Sequence, residues 1–470
     1  MPVRTLSRPW LTVAVFTLSF TLHLSDGFYH EPTLAWLGLA LCAALLGVAG
    51  VAWPWTDDDR ARDATTRALL KAGLLVSVVA LVSHPLARYM ADPRPWRHPD
   101  LLLAVAVAAI VALGVTVSHG LAARRRAAVV LAVIALWLGA WTVRESPQPH
   151  IDVIPVHADA FAALARGESP YGITFTDMYA ANEPFYAPEM RDGSRVLFGF
   201  PYPPLSLALA WPGHALLGDL RYSEALALAL AVAVLLWMGG DIGILCGAAL
   251  LLAPRLVFHL EQGWTEPFPI ALLALTVATA LRRPSLTWLP LGLLVASKQH
   301  MVLALAFAPM LLPAAPAGRD SSDRARDVVR LALKAIAVAA IVTLPLALLD
   351  VDAFMRSAVL LQLREPFRLD SLSFTRMFVA HGWALDKHGA LYVSLTAGLV
   401  GLGLSWWRAP RTPAGFAASL GLTCFLLTAF GKKAFLNYYF LVFAALLIAI
   451  AAVRQPARQA PIASGETRPQ

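Results

Sequence analysis

Charged side chains are scarce in this sequence. Asp, Glu, Lys and Arg make up only 14% of the 470 residues, while hydrophobic residues make up 58%. A soluble domain carries about 25% charged residues to cover its surface. This shortage argues against the two or three soluble domains that the length alone would suggest. It predicts instead an all-α, polytopic integral membrane protein built from apolar helices.

Other absences narrow the class of function. The three cysteines, Cys42, Cys246 and Cys424, all lie in apolar stretches, and no CxxC pair is present. We therefore expect neither a disulfide framework nor a zinc motif. The chain has no Walker loop and no GxGxxG motif, which argues against an ATP-driven machine. The net charge of +8 includes no basic run interleaved with aromatic residues, so no nucleic-acid partner is expected.

The apolar segments predict about fourteen transmembrane helices. They lie at 10–25, 33–54, 69–87, 101–118, 127–144, 203–217, 222–253, 267–281, 285–297, 301–313, 331–349, 390–406, 413–429 and 436–452. The first is predicted to be a retained signal anchor, because Ser25-Asp26-Gly27 is a poor cleavage site. We divide the chain into an N-terminal extra transmembrane module (1–126), a catalytic bundle (127–453) and a disordered cytoplasmic tail (454–470).

Arginine and lysine in short loops predict the orientation, because such loops favour the cytoplasm. The clusters are Arg124 to Arg126, Arg282-Arg283, Arg319 to Arg330, Arg408 to Arg411, and Arg454 with Arg458. Placing all of them inside requires 222–253 to cross once, with a kink or re-entrant turn at Gly239-Gly240-Asp241. It also requires 285–297 and 301–313 to be short crossings that meet near Lys298. Two long loops, 145–202 and 350–389, then lie outside, as does the arginine-bearing loop 88–100.

The stretch from His150 to Tyr171 carries the most specific chemistry. Asp152 stands where the chain leaves an apolar helix, and a short amphipathic helix is predicted to follow and to stop at Gly167. A partly desolvated carboxylate at this position is suited to act as a general base. The alternative is that Asp152 only ends a helix near water.

These residues resemble a known family. Asp152, the stretch Ala162-Ala-Leu-Ala-Arg-Gly-Glu-Ser-Pro-Tyr171, and Tyr202-Pro-Pro-Leu205 are similar to the motifs of the GT-C glycosyltransferases. More narrowly they resemble glycosyltransferase family 87, which includes polyprenol-dependent mannosyltransferases. The resemblance covers roughly 127–453, with specific motifs only in 150–205. The five helices before Asp152 depart from the family, whose members commonly have one.

The resemblance implies a function and a location. It implies a GT-C-type bundle in the bacterial cytoplasmic (inner) membrane, with its active site on the extracytoplasmic face. The donor would be a polyprenyl-phosphate sugar, and the acceptor a lipid, glycan or protein of the cell envelope. A hexose, with mannose as the first candidate, would move by an inverting single displacement with Asp152 as the base. Membrane lipids are the other expected partners.

A phosphate leaving group requires cations on the same face. The candidates are Lys298, Lys432, Lys433, Arg364 and Arg368. The alternative for the Lys432-Lys433 pair is that the assumed orientation is wrong and both lysines are ordinary cytoplasmic residues.

The remaining candidates would contact the acceptor or support the site. They are His157, Asp159, Tyr171, Tyr202, Trp264 and Glu266. Trp264 is suited to stack on a sugar. Glu266 is suited to orient the acceptor or to hold a divalent cation, as in some GT-C enzymes, or simply to cap the helix that it opens. No cofactor is assigned, and the need for a metal stays open.

Two other classes of function are compatible with this composition. The first is a secondary transporter or lipid flippase, which broken helices at matching positions in two halves would favour. The second is a non-catalytic scaffold of envelope assembly. The sequence has a break at Gly239-Gly240 but no matching second half, and its long outer loops favour an enzyme.

Overall fold

The structure is a computed structural model that describes residues 4–54, 56, 58–118, 120–179, 183, 185–313 and 321–453. It is 73% helical, so the prediction of a nearly all-α chain is confirmed. The predicted tail at 454–470, with Arg454 and Arg458, lies outside the described residues, as does Arg319.

Nineteen α-helices run through the described part of the chain. They are α1 (Arg8–Ser25), α2 (Glu31–Val48), α3 (Asp59–Ser83), α4 (Pro99–Ser118), α5 (Leu121–Glu145), α6 (Val153–Ala165), α7 (Pro204–Leu217), α8 (Arg221–Leu251), α9 (Leu256–Glu261), α10 (Pro267–Arg282), α11 (Trp288–Ser297), α12 (Leu303–Ala306), α13 (Ser321–Ala347), α14 (Val351–Phe354), α15 (Leu361–Arg364), α16 (Phe374–Ala380), α17 (Lys387–Arg408), α18 (Pro413–Ala429) and α19 (Leu436–Ala452).

Short elements complete the fold. Six 3₁₀ or π turns are described, at Pro95–Arg97, Pro188–Met190, Pro284–Leu286, Gln299–Val302, Ala308–Leu311 and Met355–Val359. Three two-residue strands, β1 (Phe175–Thr176), β2 (Arg191–Asp192) and β3 (Arg195–Val196), form an antiparallel sheet in the order β1-β3-β2. This sheet folds the long loop between α6 and α7 back on itself.

Six of the described helices are long and apolar enough to cross a membrane, judged by length and composition. They are α2, α3, α5, α8, α13 and α17. In α13 only 17% of the apolar window is buried, and side chains such as Leu333, Ile341 and Leu344 are exposed. A continuous apolar face of this kind needs lipid or another apolar partner. The helices therefore indicate a membrane protein.

The helices of the predicted N-terminal module and those of the predicted catalytic bundle share one hydrophobic core. Leu11, Leu37 and Leu70 belong to the same buried cluster as Leu245 and Phe443. The first five helices are thus packed against the rest of the bundle.

The bundle has two ends, which its ion pairs identify. At one end, the cavity end, Arg255 Nε lies 2.8 Å from Asp26 Oδ1. At the other, which we call the arginine end, Arg8 Nη1 lies 2.5 Å from Asp63 Oδ1, and the Arg282 guanidinium lies over the Trp237 ring. Most helices run from one end to the other.

Helix α8 is a hairpin and not a single rod. Its backbone leaves the helical region at Gly240 (φ 58°, ψ −134°), a conformation that an L side chain rarely adopts. The arms 221–239 and 241–251 then pack closely, since a Cβ at Gly243 would stand 2.2 Å from the carbonyl oxygen of Leu235.

The α8 hairpin therefore begins and ends at the cavity end. Arg221 Nη1 donates to the carbonyls of Ser146 and Glu261, at 2.8 and 3.4 Å. The turn reaches the arginine end, where Arg124 Nε lies 2.7 Å from Asp241 Oδ1. Of the two options predicted at Gly239-Gly240-Asp241, a kink or a re-entrant turn, the turn is the one observed.

Helix α7, which covers the predicted apolar segment 203–217, lies at the cavity end. The ring of Phe161 in α6 packs on Trp211 and His214 of α7, with ring centroids 5.2 and 4.5 Å apart. Gly213 N donates to Ser223 Oγ, at the start of α8. Helices α6 and α7 thus lie side by side, as an interfacial pair would.

The predicted apolar segment 301–313 is not one regular helix. It consists of α12, only four residues long, between two 3₁₀ turns. Pro309 lacks an N–H group, and its ring would clash with the carbonyl of Leu305 in a continuous α-helix. The segment nevertheless leads away from Lys298 and the cavity end, because Met310 Sδ accepts a hydrogen bond from Ser419 Oγ in the middle of α18.

Candidate functional site

A cavity of about 170 Å³ opens at the cavity end. This is roughly ten times the volume that one water molecule needs. Its lining comes from Phe28, Arg88, Tyr89, His150, Ile151, Asp152, Val153, Tyr179, Phe185, Tyr186, Phe198, Pro201, Tyr202, Phe258, Gln262, Trp264, Leu361, Gln362, Glu365, Arg368, Lys433, Phe435, Asn437 and Tyr438. Segments from the whole length of the chain meet here, which is typical of a ligand site.

Asp152 faces this cavity and does not cap a helix. It precedes α6, but its side chain makes no hydrogen bond to the first turn. Instead Tyr186 donates a hydrogen bond of 2.5 Å to Oδ2 of Asp152, and the Asp152 backbone N–H donates to the Tyr179 hydroxyl at 3.1 Å. Tyr186 therefore holds the carboxylate of Asp152 and Tyr179 holds its backbone, in a recess that is only partly open to water.

The same two tyrosines remain protonated at ordinary pH. Burial first, and then the neighbouring Asp152 carboxylate, raise the pKa of Tyr186 and of Tyr179 well above the ordinary value for a phenol. Tyr186 is thus a permanent hydrogen-bond donor to Asp152.

Aromatic rings form much of the cavity wall. Tyr179 stacks on Phe185 with ring centroids 3.9 Å apart, and Trp264 lines the wall formed between α9 and α10. The loop that carries Tyr179 is fixed by an ion pair of 2.9 Å between Arg191 and Asp177, next to β2 and β1. Such rings offer flat apolar faces with polar edges, which suit sugars as well as other amphipathic ligands.

Two of the predicted cations line the cavity with partners of their own. Arg368 binds Asp370 through two hydrogen bonds of 2.8 and 2.6 Å, and Lys433 Nζ lies 2.7 Å from Glu365 Oε1. Burial disfavours the charged form of Lys433, but the Glu365 carboxylate outweighs it and the pKa of Lys433 is raised.

Lys432 points away from the cavity, unlike its neighbour. Its Nζ donates to the backbone carbonyls of Glu365 and Leu363, at 2.8 and 3.3 Å. Burial lowers the pKa of this amine. Lys432 therefore stabilises the loop before Arg368. This differs from the prediction that Lys432 contacts the phosphate of the sugar donor.

Lys298 and Glu266 form a buried ion pair behind the cavity. Glu266 is fully buried and also accepts from Asn437 Nδ2 at 2.9 Å. Lys298 Nζ lies 5.8 Å from the ring centroids of both Tyr202 and Tyr438, which line the cavity. The pair thus supports the cavity floor from below, and neither residue lines it. Glu266 has no side-chain bond to the first turn of α10, so it is not a cap.

Four other predicted residues do not line the cavity. His157 is buried in α6, where its Nδ1 bonds the Val153 carbonyl oxygen, and Tyr171 is buried with its hydroxyl donating to the Tyr202 carbonyl. Both support the wall. Asp159 and Arg364 are exposed and lie outside the cavity.

Sequence reasoning missed several residues of the site. Tyr186, Tyr179 and Glu365 line the cavity without belonging to any motif. Glu261 was part of the polar stretch before α10 but received no role. It is fully buried and accepts from the backbone N–H groups of Arg88 and Tyr89, at 2.7 and 2.8 Å.

A metal site is not evident in the described part of the chain. No group of three or more His, Cys, Asp or Glu side chains there is arranged to hold a metal ion. Comparisons of the chain with protein-family models, with curated proteins and with solved structures find no match.

Proposed function

We propose that the chain is a multi-pass protein of the bacterial cytoplasmic membrane, with the cavity on the extracytoplasmic face. In this proposal fourteen segments of the described residues cross the membrane: α1 to α5, the two arms of α8, α10, α11, the segment 299–313, α13, α17, α18 and α19. The proposed count equals the one predicted from sequence, although α7 contributes no pass in it and α8 contributes two.

The proposed activity is that of a GT-C-type glycosyltransferase, which moves a hexose from a polyprenyl-phosphate donor to an extracytoplasmic lipid, glycan or protein acceptor. The observation that carries the proposal is the position of Asp152. Its carboxylate does not cap a helix, accepts a hydrogen bond from Tyr186 and lies in a cavity with aromatic walls. These are the features that a general base needs.

The proposed step is a single displacement. The acceptor hydroxyl attacks the anomeric carbon of the sugar while Asp152 takes the hydroxyl proton. The bond between that carbon and the phosphate oxygen breaks, and the electron pair leaves with the polyprenyl phosphate. Attack on the face opposite to the leaving group inverts the anomeric configuration. Arg88, Arg368 and Lys433 line the same cavity, and a positive charge close to the departing phosphate would stabilise it.

Transfer of radiolabelled mannose from polyprenyl-phosphate mannose to a membrane lipid extract tests the proposal. A positioned general base contributes about 10²- to 10⁴-fold to a rate, so we expect Asp152→Asn to lose activity to that extent. Asp159→Asn, an exposed change on the same short helix, is the matched control and should keep full activity.

Equal transfer by the wild type and Asp152→Asn would contradict the assignment of the base. If the wild type transfers no hexose but moves labelled lipid or solute across proteoliposome membranes, the rival transporter or flippase function replaces the enzyme.

A further inference from the structure

Three arginine or lysine side chains line the cavity in the part of the chain that the structure describes: Arg88, Arg368 and Lys433. Two of them already have carboxylate partners. Arg368 is bound by Asp370 and held between the Phe185 and Phe435 rings, and Lys433 is paired with Glu365.

Arg88 differs from both. Its guanidinium lies over the Phe28 ring, 5.2 Å from the centroid, and forms no ion pair with a described carboxylate. The carboxylate on which its charge acts, Asp26, is paired with Arg255. It is exposed at the cavity mouth. Its guanidinium N–H groups can therefore donate to a ligand in the cavity, and their planar arrangement matches the oxygens of a phosphate.

The backbone that carries Arg88 is held in place. Glu261, which is fully buried, accepts from the N–H groups of both Arg88 and Tyr89 and also from Ser146 Oγ, at 2.7, 2.8 and 2.8 Å. One carboxylate therefore joins the loop after α3 to the end of α5 and to α9. A cation on a fixed loop loses less freedom on binding an anion than one on a mobile loop.

The same loop lies close to Asp152. The Tyr89 ring contacts His150, His150 contacts Tyr179, and the Tyr179 hydroxyl accepts from the Asp152 backbone N–H. Arg88 is thus on the wall next to the proposed base.

We propose that Arg88 is the residue of the cavity that binds the phosphate group of its ligand, and that the N-terminal helices are therefore part of the binding site. The inference rests on the proposed function and deepens it. The chemistry recognised is a phosphate ester or free phosphate, and a lipid-linked phosphate is the source that fits a cavity between membrane helices.

Direct binding to the full chain in phosphatidylcholine nanodiscs tests this. The probes are farnesyl phosphate, farnesol and inorganic phosphate, and the proteins are the wild type, Arg88→Gln, Arg88→Lys and Arg97→Gln. Arg97 lies in the same loop but outside the cavity, and is exposed.

The wild type should bind farnesyl phosphate more tightly than farnesol. Loss of one hydrogen-bonded charge should weaken farnesyl phosphate binding roughly 10- to 100-fold in Arg88→Gln. Arg88→Lys should recover part of this affinity, and Arg97→Gln should bind like the wild type. Inorganic phosphate that competes at the affinity of farnesyl phosphate would support the anion site with free phosphate as its source.

Unchanged binding by Arg88→Gln, an equal loss in Arg97→Gln, or no preference of the wild type for farnesyl phosphate over farnesol would each overturn the proposal. The measurement needs no turnover. A protein that binds farnesyl phosphate through Arg88 but transfers no sugar would refute the proposed function alone, and the converse pattern would refute this inference alone.

Discussion

The phenol of Tyr186 lies 2.5 Å from Oδ2 of Asp152 and donates a hydrogen bond to it. Because the pKa of Tyr186 is raised, by burial and then by the Asp152 carboxylate itself, the phenol does not lose its proton in the physiological range. The tyrosine therefore orients the carboxylate without competing for the proton that the proposed reaction releases.

Removing this hydroxyl should slow the proposed transfer without abolishing it. In Tyr186→Phe the carboxylate keeps its chemistry but loses an orienting hydrogen bond. We expect kcat to fall roughly ten-fold, with little change in KM for the donor. Steady-state kinetics check this, with Tyr392→Phe, a change to an exposed tyrosine on α17, as the control. A kcat that matches the wild type would mean that Asp152 needs no orienting partner.

The buried pair of Lys298 and Glu266 should matter mainly for stability. Glu266→Gln leaves the Lys298 charge without its counter-ion in the core, which costs about 3–5 kcal/mol. Thermal unfolding in detergent should show a lower midpoint for Glu266→Gln and for Lys298→Met. The double variant should lose less than the sum of the two single losses. Strictly additive losses would show that the two residues act independently.

A side chain at the turn of the α8 hairpin should lower the stability of the fold. Gly240 has φ 58° and ψ −134°, so Gly240→Ala should cost about 1–3 kcal/mol. Gly403→Ala is the control, because Gly403 lies within α17 with open space around it. That change should be neutral or slightly stabilising. Equal unfolding midpoints for wild type and Gly240→Ala would argue against the hairpin turn.

Cysteine labelling should reveal the proposed orientation. In a background with the three native cysteines replaced by alanine, a cysteine at position 97 should react with a membrane-impermeable maleimide on intact cells. A cysteine at position 408, at the arginine end, should react only after permeabilisation. The reverse pattern would place the cavity on the cytoplasmic side, where it could not bind a donor on the extracytoplasmic face.

Sequence patterns predicted the helical character and the individual apolar helices well, because long apolar runs have few alternatives. They failed where the same composition permits two geometries. The run 222–253 is as apolar in a hairpin as in a rod, and only the backbone at Gly240 decides between them. Likewise α7 has the apolar character of a span but packs sideways on Phe161.

The candidate site was predictable only in part. Asp152, Tyr202 and Trp264 carried local signals, and the structure places all three at the cavity. Tyr186 lies between Asp152 and Tyr202 but belongs to no motif, and Arg88 is far from all three in sequence, so only the fold shows that both line the same cavity. For the predicted cations, the sequence shows that Lys433 and Lys298 are present. It does not show that Glu365 pairs with Lys433 or that Glu266 pairs with Lys298.

The α8 hairpin has a consequence for how the chain enters a membrane. Its sequence contains no lysine or arginine between Arg221 and Arg255, so the turn has no positive charge of its own. The nearest positive charge is Arg124 at the start of α5, which pairs with Asp241 of the turn. In the proposed orientation, α5 is synthesised first and would supply the charge that holds this turn in the cytoplasm, a dependence that counting the charges of each loop separately overlooks.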